Sequence, residues 1–367
     1  MNKQIIKTIQ KKKGETINDP SYKESLTKEN KRKQKEYVQS FIGDEYEVLE
    51  YEDYYNIKIK NNLTEDVVTI SFYTLTHRKN NNRDLCKYIS GVSCQEKELQ
   101  EFIQQNYTKE VITNSRTIIK PFELDIYLPE IKLAFEFNGV YWHNELRIPN
   151  DYHLNKTKLC LDKGIHLIHI YEDDWAYKQD IVKSRILNLL GKSNIIYARK
   201  CKIKEVTPKE SRMFLNENHI QGYCNSTTRL GLFYQDELVS LMTFGKSRFR
   251  SNDTELLRFC NKLNTSVVGG ASRLFKHYTK INTGTIISYA DRSWSNGKLY
   301  EQLGFSLELE TKPNYSYIIN NCRENRFKYR KSELIKEGYD SNKTEHQIMI
   351  ERAIYRVYDS GSLKYKK

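Results

Sequence analysis

The sequence has 367 residues, with 60 Lys+Arg against 47 Asp+Glu and a formal charge of +13. At 38% hydrophobic and 12% aromatic it holds enough apolar side chain for packed cores, which excludes wholesale disorder, and its length suggests two or three domains. Apolar runs such as LVSLM at 238–242 fall far short of the roughly 18 residues of a membrane helix. The opening MNKQIIKTIQKKKGE lacks the apolar stretch of a secretory signal, so the expectation is a soluble, cytoplasmic protein with no membrane partner. A positive surplus suits a polyanion such as nucleic acid, although many basic proteins have no such partner. Seven cysteines without a C-x-x-C pair argue for reduced thiols rather than a disulfide framework or structural zinc.

In chain order, residues 1–44 form a basic arm, with eleven Lys/Arg against five Asp/Glu in the first 40 residues. Its apolar positions are sparse, which predicts a solvated helix or a partly ordered arm. Residues 45–92 contain a small β-rich segment that alternates like strands around a turn at Asn61 and Asn62. At Ser93 a helix is expected to begin, with Ser93 as its cap and Glu96 three residues on as capping-box partner. Three β-like runs follow (EVITNSR, FELDIYLPEI, KLAFEFNGVYW), then a helix HLNKTKLCLDKG closed by Gly164. A strand IHLIHIY and a helix ending at Gly191 complete an α/β unit over 93–194.

The stretch 195–320 reads as a second α/β unit. A helix at 208–217 precedes a hairpin turning at Gln235-Asp236, then a strand ELLRFC, a loop with Gly269 and Gly270, and the helix ASRLFKHYTK. A strand TIISYA, a helix NGKLYEQL and a β pair near 306–318 are expected to close it. Residues 321–367 read as a basic C-terminal tail; from 320 on there are twelve Lys/Arg against seven Asp/Glu.

The first chemical constellation lies in ELDIYLPEIKLAFEFNGVYWHNE. Asp125 and Glu136 fall on strands joined by a short turn, so an antiparallel pair places both at one sheet edge. Glu136 is flanked by Phe135 and Phe137, and unpaired charge there is costly unless a cation neutralises it. Two carboxylates and the Phe137 carbonyl suit Mg²⁺ or Mn²⁺, which can activate water at a phosphodiester. A structural bridge to Arg116 or Lys132 would explain the same residues. His143, just past the strand, is placed for proton transfer, and Tyr141 and Trp142 for stacking on bases. His153 and Lys156 share a helix face, and Lys156 or Lys158 can reach a phosphate. His166 and His169, alternating in an apolar strand, read as structural.

These residues carry a resemblance. Ser93 to about Gly191, with S-x-x-E at 93–96, ELD at 123–125, EFNGVYWHNE at 136–145, HLNKTKLC at 153–160 and HLIHIYEDDW at 166–175, resembles phage-type nucleases related to very-short-patch repair endonucleases. These include the EDxHD homing endonucleases, a branch of the PD-(D/E)XK superfamily. The resemblance implies a restriction-endonuclease-like three-layer core and a metal-dependent DNA endonuclease, phage- or mobile-element-encoded and of homing type, acting on double-stranded DNA. Asp125 and Glu136 would be metal ligands, His143 would assist proton transfer, and Glu96 would support the site. One position departs: the superfamily's lysine would fall at Asn138, which carries no charge. Lys156 or His143 then replaces it, or the centre has decayed into a non-catalytic DNA-binding protein.

The second constellation is NTSVVGGASRLF at 264–275, followed by ISYADRSWSNGKLYEQLGF. A glycine loop entering a helix can hold a pyrophosphate or pack tightly. This stretch is similar to the GNAT acyltransferases, which implies a GNAT-like mixed-sheet domain, an acetyl-CoA site at Gly269, Gly270, Ala271, Asn296 and Tyr300, and acid–base candidates Tyr300, Asp291 and Glu255. The fold class expected is therefore α/β (α+β), a three-layer core followed by a GNAT-like domain. Arg248, Arg250, Arg258 and Arg273 are candidate phosphate contacts. A rival function is a GNAT-like transferase modifying DNA bases or another acceptor, with the nuclease-like part as its targeting domain. The basic arm also resembles helical DNA-binding modules found beside phage endonucleases.

Overall fold

The computed structural model describes residues 20–54, 56–70, 72–80, 84–86, 94–247 and 253–367. The chain is an α+β protein that divides into two compact units, Met1–Glu98 and Leu99–Lys367. No helix among the described residues is long and apolar enough to cross a membrane.

In the first unit, helix α1 (Pro20–Ile42) precedes an antiparallel sheet of β1 (Tyr46–Tyr51), β2 (Ile57–Asn61) and β3 (Val67–Ile70), then α2 (Phe72–Asn80). Strand alternation shows in β2, where Ile57 and Ile59 are buried and Lys58 is exposed. Val38 and Ile42 of α1 join that core, while residues 30–37 lie in solvent, so the basic arm is helical from Pro20 and docks only by its last turns. The cap expected at Ser93 lies outside the described residues.

The second unit begins in helix α3 (Cys94–Asn106), from Leu99 on. Strands β4 (Ile112–Ile119), β5 (Phe122–Leu128) and β6 (Leu133–Asn138) are antiparallel neighbours, and β7 (His166–Tyr171) runs parallel to β6. The crossover between β6 and β7 carries helix α4 (Tyr152–Asp162); α5 (Glu172–Tyr177) and α6 (Gln179–Leu189) follow. Alternate strand residues separate two faces. Phe135, Phe137, Ile168 and Ile170 pack with Leu99 and Ile103 of α3 and Val182 and Ile186 of α6, whereas Ala134 and Leu167 pack with Cys160 of α4. The result is three layers with helices on both sides of a mixed sheet.

Beyond β8 (Asn194–Tyr197) and β9 (Lys202–Glu205), helix α7 (Pro208–Asn218) starts with a capping box between Thr207 and Glu210. Strands β10 (Thr228–Tyr234) and β11 (Glu237–Lys246) form the expected hairpin, with positive φ at Gln235 and Asp236. Next come β12 (Thr254–Asn261), β13 (Thr265–Val268), α8 (Gly270–Ile281), β14 (Ile286–Asp291), α9 (Lys298–Gln302) and β15 (Ser306–Glu310). The last segment holds β16 (Tyr315–Ile319), β17 (Cys322–Asn325), α10 (Lys331–Lys336), α11 (Glu345–Glu351), β18 (Arg356–Tyr358) and β19 (Ser362–Lys366).

Two expectations are corrected here. Residues 306–318 do not pair with each other: β15 pairs with β19, and β16 pairs with β17 and β18 in a separate sheet. Residues 321–367, read as a basic tail, carry strands and helices of their own. Strand β19 inserts between β15 and β14 in a seven-stranded sheet of order β15-β19-β14-β12-β11-β10-β9. Its alternation is short and lysine-rich, so charge masked a strand whose Tyr365 is 1% exposed. Gly297 depends on that strand. Its φ is +87°, and an added Cβ would lie 1.9 Å from Tyr365 Oη. Gly297→Ala is expected to cost on the order of 2 kcal/mol or more, read as a lower urea midpoint; an unchanged midpoint would contradict this packing.

Candidate functional site

The face of the β4–β7 sheet that lies under α4 carries the polar residues. Strand β6 is buried at all six positions because β5 and β7 flank it and helices cover both faces, yet Glu136 and Asn138 are polar. On α4 the residues His153, Lys156, Thr157 and Cys160 recur at helical spacing and point at that face. Lys156 Nζ donates to Glu136 Oε1, and the two side chains are 2% and 4% exposed. Arg116 instead pairs with Glu123 at 2.5 Å, so the structural bridge expected as an alternative is not made through it.

Asp125 Oδ2 accepts a 2.7 Å hydrogen bond from the Phe137 N–H. In a strand the carbonyl of a residue points the same way as its N–H, so the Phe137 main chain faces Asp125 with both groups. Burial pushes the Asp125 carboxyl above its ordinary range, while Lys156 and the Phe137 N–H pull it partly back. Burial works against the charge on Lys156, but Glu136 and Asp125 more than offset it and raise its pKa. The ammonium thus pairs with Glu136 and is further stabilised by the charge of Asp125. No group of three or more His, Cys, Asp or Glu suited to a metal occurs among the described residues.

Four imidazole and amide groups continue the site. His143 stacks on His153 with centroids 5.0 Å apart and planes 15° from parallel, and His153 meets His169 edge-on at 5.2 Å. His153 is 1% exposed, and neither of its ring nitrogens has a hydrogen-bond partner. Asn138 Nδ2 lies 3.2 Å from His169 Nδ1, and His169 Nε2 lies 2.8 Å from Thr157 Oγ1, which itself donates to the His153 carbonyl. That pattern makes His169 neutral, with its proton on Nε2. Asn138 therefore orients a histidine, and His169, which the sequence reads as structural, joins a hydrogen-bond chain with Asn138 and Thr157.

Burial and the nearby Lys156 lower His143 to about 4 and His169 to about 3; burial lowers His166 to about 4 and holds His153 and His219 well below 6.5. Such groups are neutral in the folded state and take up protons when it unfolds, so their stabilising effect is present above 6.5 and lost as pH falls toward 4. Asp125 and Asp359, both raised by burial, act in the opposite sense. Five imidazoles outweigh two carboxyls, and the urea midpoint is expected to be lower near pH 5 than near pH 7.5. A rising midpoint would contradict the neutral cluster.

Past β6 the loop 139–148 returns to solvent. Tyr141 and Trp142 are 58% and 63% exposed, and the Arg147 guanidinium lies 4.2 and 4.4 Å from their ring centres. The next residues are anchored: Asn144 bridges Val357, Glu145 N donates to the Arg356 carbonyl at 2.9 Å, and Arg356 N donates to Glu145 Oε1 at 3.0 Å. Ser360 Oγ lies 3.2 Å from Thr157 Oγ1. The segment 356–360, missed in the sequence because nothing local marks it, therefore walls the site.

Other expected site residues lie elsewhere. Glu96 is in the first turn of α3, partly buried. Lys158 is on the outer face of α4, 3.9 Å from Glu310. Arg258 donates to the carbonyls of Gly222 and Leu257, and Arg273 to that of Ala198. Arg248 and Arg250 lie outside the described residues. Gly269, with φ +76°, caps α8 and lines a surface pocket of about 440 Å³ with Tyr197, Ala198, Arg199, Val268 and Arg273. Gly270 is buried, and a Cβ there would lie 3.1 Å from Val267, so its bareness serves packing; Ala271 is buried beside it. Asn296 caps the turn before α9, where Tyr300 stacks on Tyr365 at 5.0 Å. Glu255 is 5% exposed, and its Oε2 has no hydrogen-bond partner.

No family model and no curated protein matches the sequence. Solved structures similar to parts of the chain include the catalytic domain of the homing endonuclease I-Bth0305I, 24% identical, spanning 26% of this chain and 93% of that one with a TM-score of 0.23. An acetyltransferase of Bacillus subtilis in complex with CoA is 14% identical, spanning 46% and 97% with a TM-score of 0.27. A variant of the spermidine N-acetyltransferase SpeG of Vibrio cholerae is 17% identical, spanning 30% and 83% with a TM-score of 0.25.

Proposed function

We propose that the chain is a metal-dependent DNA endonuclease whose centre is the sheet face beneath α4, with Asp125 and Glu136 as ligands and Lys156 and His143 as catalytic groups. The observation that carries this reading is the buried Lys156 ammonium held by Glu136 and stabilised by the charge of Asp125. Two carboxylates that both stabilise a positive charge fit Mg²⁺ or Mn²⁺, with the Phe137 carbonyl as third donor and water completing the shell. When bound, such an ion would supply Lewis acidity and a more acidic water at the phosphodiester.

The chain's own residues divide the remaining work. Lys156, displaced from Glu136, offers a positive charge to a phosphate oxygen and takes over the role of the lysine absent at position 138. His143 is neutral at physiological pH because burial lowers its pKa to about 4, so it accepts a proton rather than donating one. Tyr141, Trp142 and Arg147 present aromatic faces and a cation at the mouth, a combination that suits nucleotides. The acyl-transfer reading has less support, since Gly270 and Ala271 are buried against the sheet.

Purified protein should nick or linearise supercoiled plasmid with Mg²⁺ and leave it intact with excess chelator. Cleavage that persists in chelator, or none with either Mg²⁺ or Mn²⁺, would sink the proposal.

A further inference from the structure

We infer that Glu145 is a positioning residue that holds His143 in its catalytic place by fastening the loop to the segment Arg356–Ser360, an inference resting on the endonuclease reading above. His143 is two residues from Glu145, between the exposed Trp142 and the buried Asn144. Left to itself, a loop with solvated aromatics would sample many conformations. Here its backbone is tied on the far side of His143. Glu145 N and Oε1 form a two-hydrogen-bond clasp with the main chain of Arg356, at 2.9 and 3.0 Å. Glu145 Oε2 lies 3.6 Å from His346 Nε2, and the carboxylate is 11% exposed. Asn144, 4% exposed, bridges Val357 and closes the turn through Tyr141 O and Leu146 N.

The clasp joins parts more than 200 residues apart in sequence. The same C-terminal segment reaches α4 through Ser360 and Thr157. One strut therefore touches both the loop that bears His143 and the helix that bears Lys156. Glu145 bonds to Arg356 and reaches His346. Its effect passes through the backbone, by keeping the imidazole stacked on His153. A misplacement of about 1 Å in such a group can cost about a hundredfold in rate.

The test uses the full-length protein with Glu145→Ala and Glu145→Gln. Glutamine keeps an oxygen for the Arg356 N–H, whereas alanine removes it. The first readout is plasmid nicking: Glu145→Ala should lower kcat about 10- to 100-fold with KM for DNA unchanged, and Glu145→Gln should recover most of it. The second needs no cleavage. In protein carrying ¹³C-labelled histidine, the His143 ring should titrate near 4 in the wild type and in Glu145→Gln, and move toward 6.5 in Glu145→Ala as the ring leaves Tyr152, His153 and Lys156. An unchanged kcat, an effect confined to KM, or a His143 titration that Glu145→Ala leaves in place would overturn the inference. A wild type that cuts no DNA while the titration shifts as expected would instead remove the endonuclease reading and leave the clasp standing.

Discussion

Asp125→Asn is expected to lower Mg²⁺-dependent nicking by at least about a thousandfold, equivalent to roughly 4 kcal/mol of barrier, without lowering stability. Asparagine matches aspartate in shape and keeps an oxygen for the Phe137 N–H. What it removes is charge. Burial holds the Asp125 carboxyl above its ordinary range even with Lys156 nearby, so the ionised form is the strained one in the folded protein. A neutral group at that position relieves the strain, and the melting temperature should stay level or rise. Loss of activity combined with retained or increased stability marks a residue kept for chemistry rather than for folding. Cleavage at the wild-type rate would remove Asp125 from the site. A collapsed melting temperature would make it a structural residue.

The same residues show how much was legible beforehand. The Phe-Glu-Phe pattern at 135–137 marked Glu136 because a charge in a strand buried on both faces demands a partner. The i, i+3 spacing of His153 and Lys156 marked one face of α4. The sequence suggests Arg116 or Lys132 as the bridging cation and does not point to Lys156 in that role, because only the crossover after β6 brings α4 over the strand. His169 was read as structural because its strand is apolar, and its role depends on Asn138 across the β6–β7 ladder. Position 138 itself read as a departure from a family pattern, whereas in the folded chain it is a hydrogen-bond donor to that histidine. The C-terminal strut was least legible. Glu145 and Arg356 meet through backbone groups, which leave no signature in side-chain chemistry, and β19 alternates over only five residues between lysines. Local periodicity reveals elements, but pairing between distant strands is set by the whole sheet.

Replacing Lys156 by methionine separates the electrostatic role of this residue from its bulk. Methionine keeps most of the side-chain volume in a position that is 1% exposed, but it leaves the Glu136 carboxylate buried without its ammonium. Breaking a buried pair from one side typically costs about 3–5 kcal/mol, so Lys156→Met should lower the urea midpoint sharply in chelator. Adding Glu136→Gln to it removes the stranded charge, and the double variant should regain most of the lost stability, because the pair contributes mainly by satisfying each other. The proposed metal site adds a distinguishing expectation. An ion that binds the folded carboxylates stabilises by mass action, and in Lys156→Met it meets no competing ammonium. Millimolar Mg²⁺ or Mn²⁺ should therefore raise the melting temperature of Lys156→Met more than that of the wild type, and raise that of the double variant least. Cleavage should be lost in both variants, since the phosphate then lacks the positive charge that Lys156 supplies. If the cations stabilise the wild type and Lys156→Met equally, the ammonium does not stand where a metal would bind, and Glu136 is only its structural counter-ion.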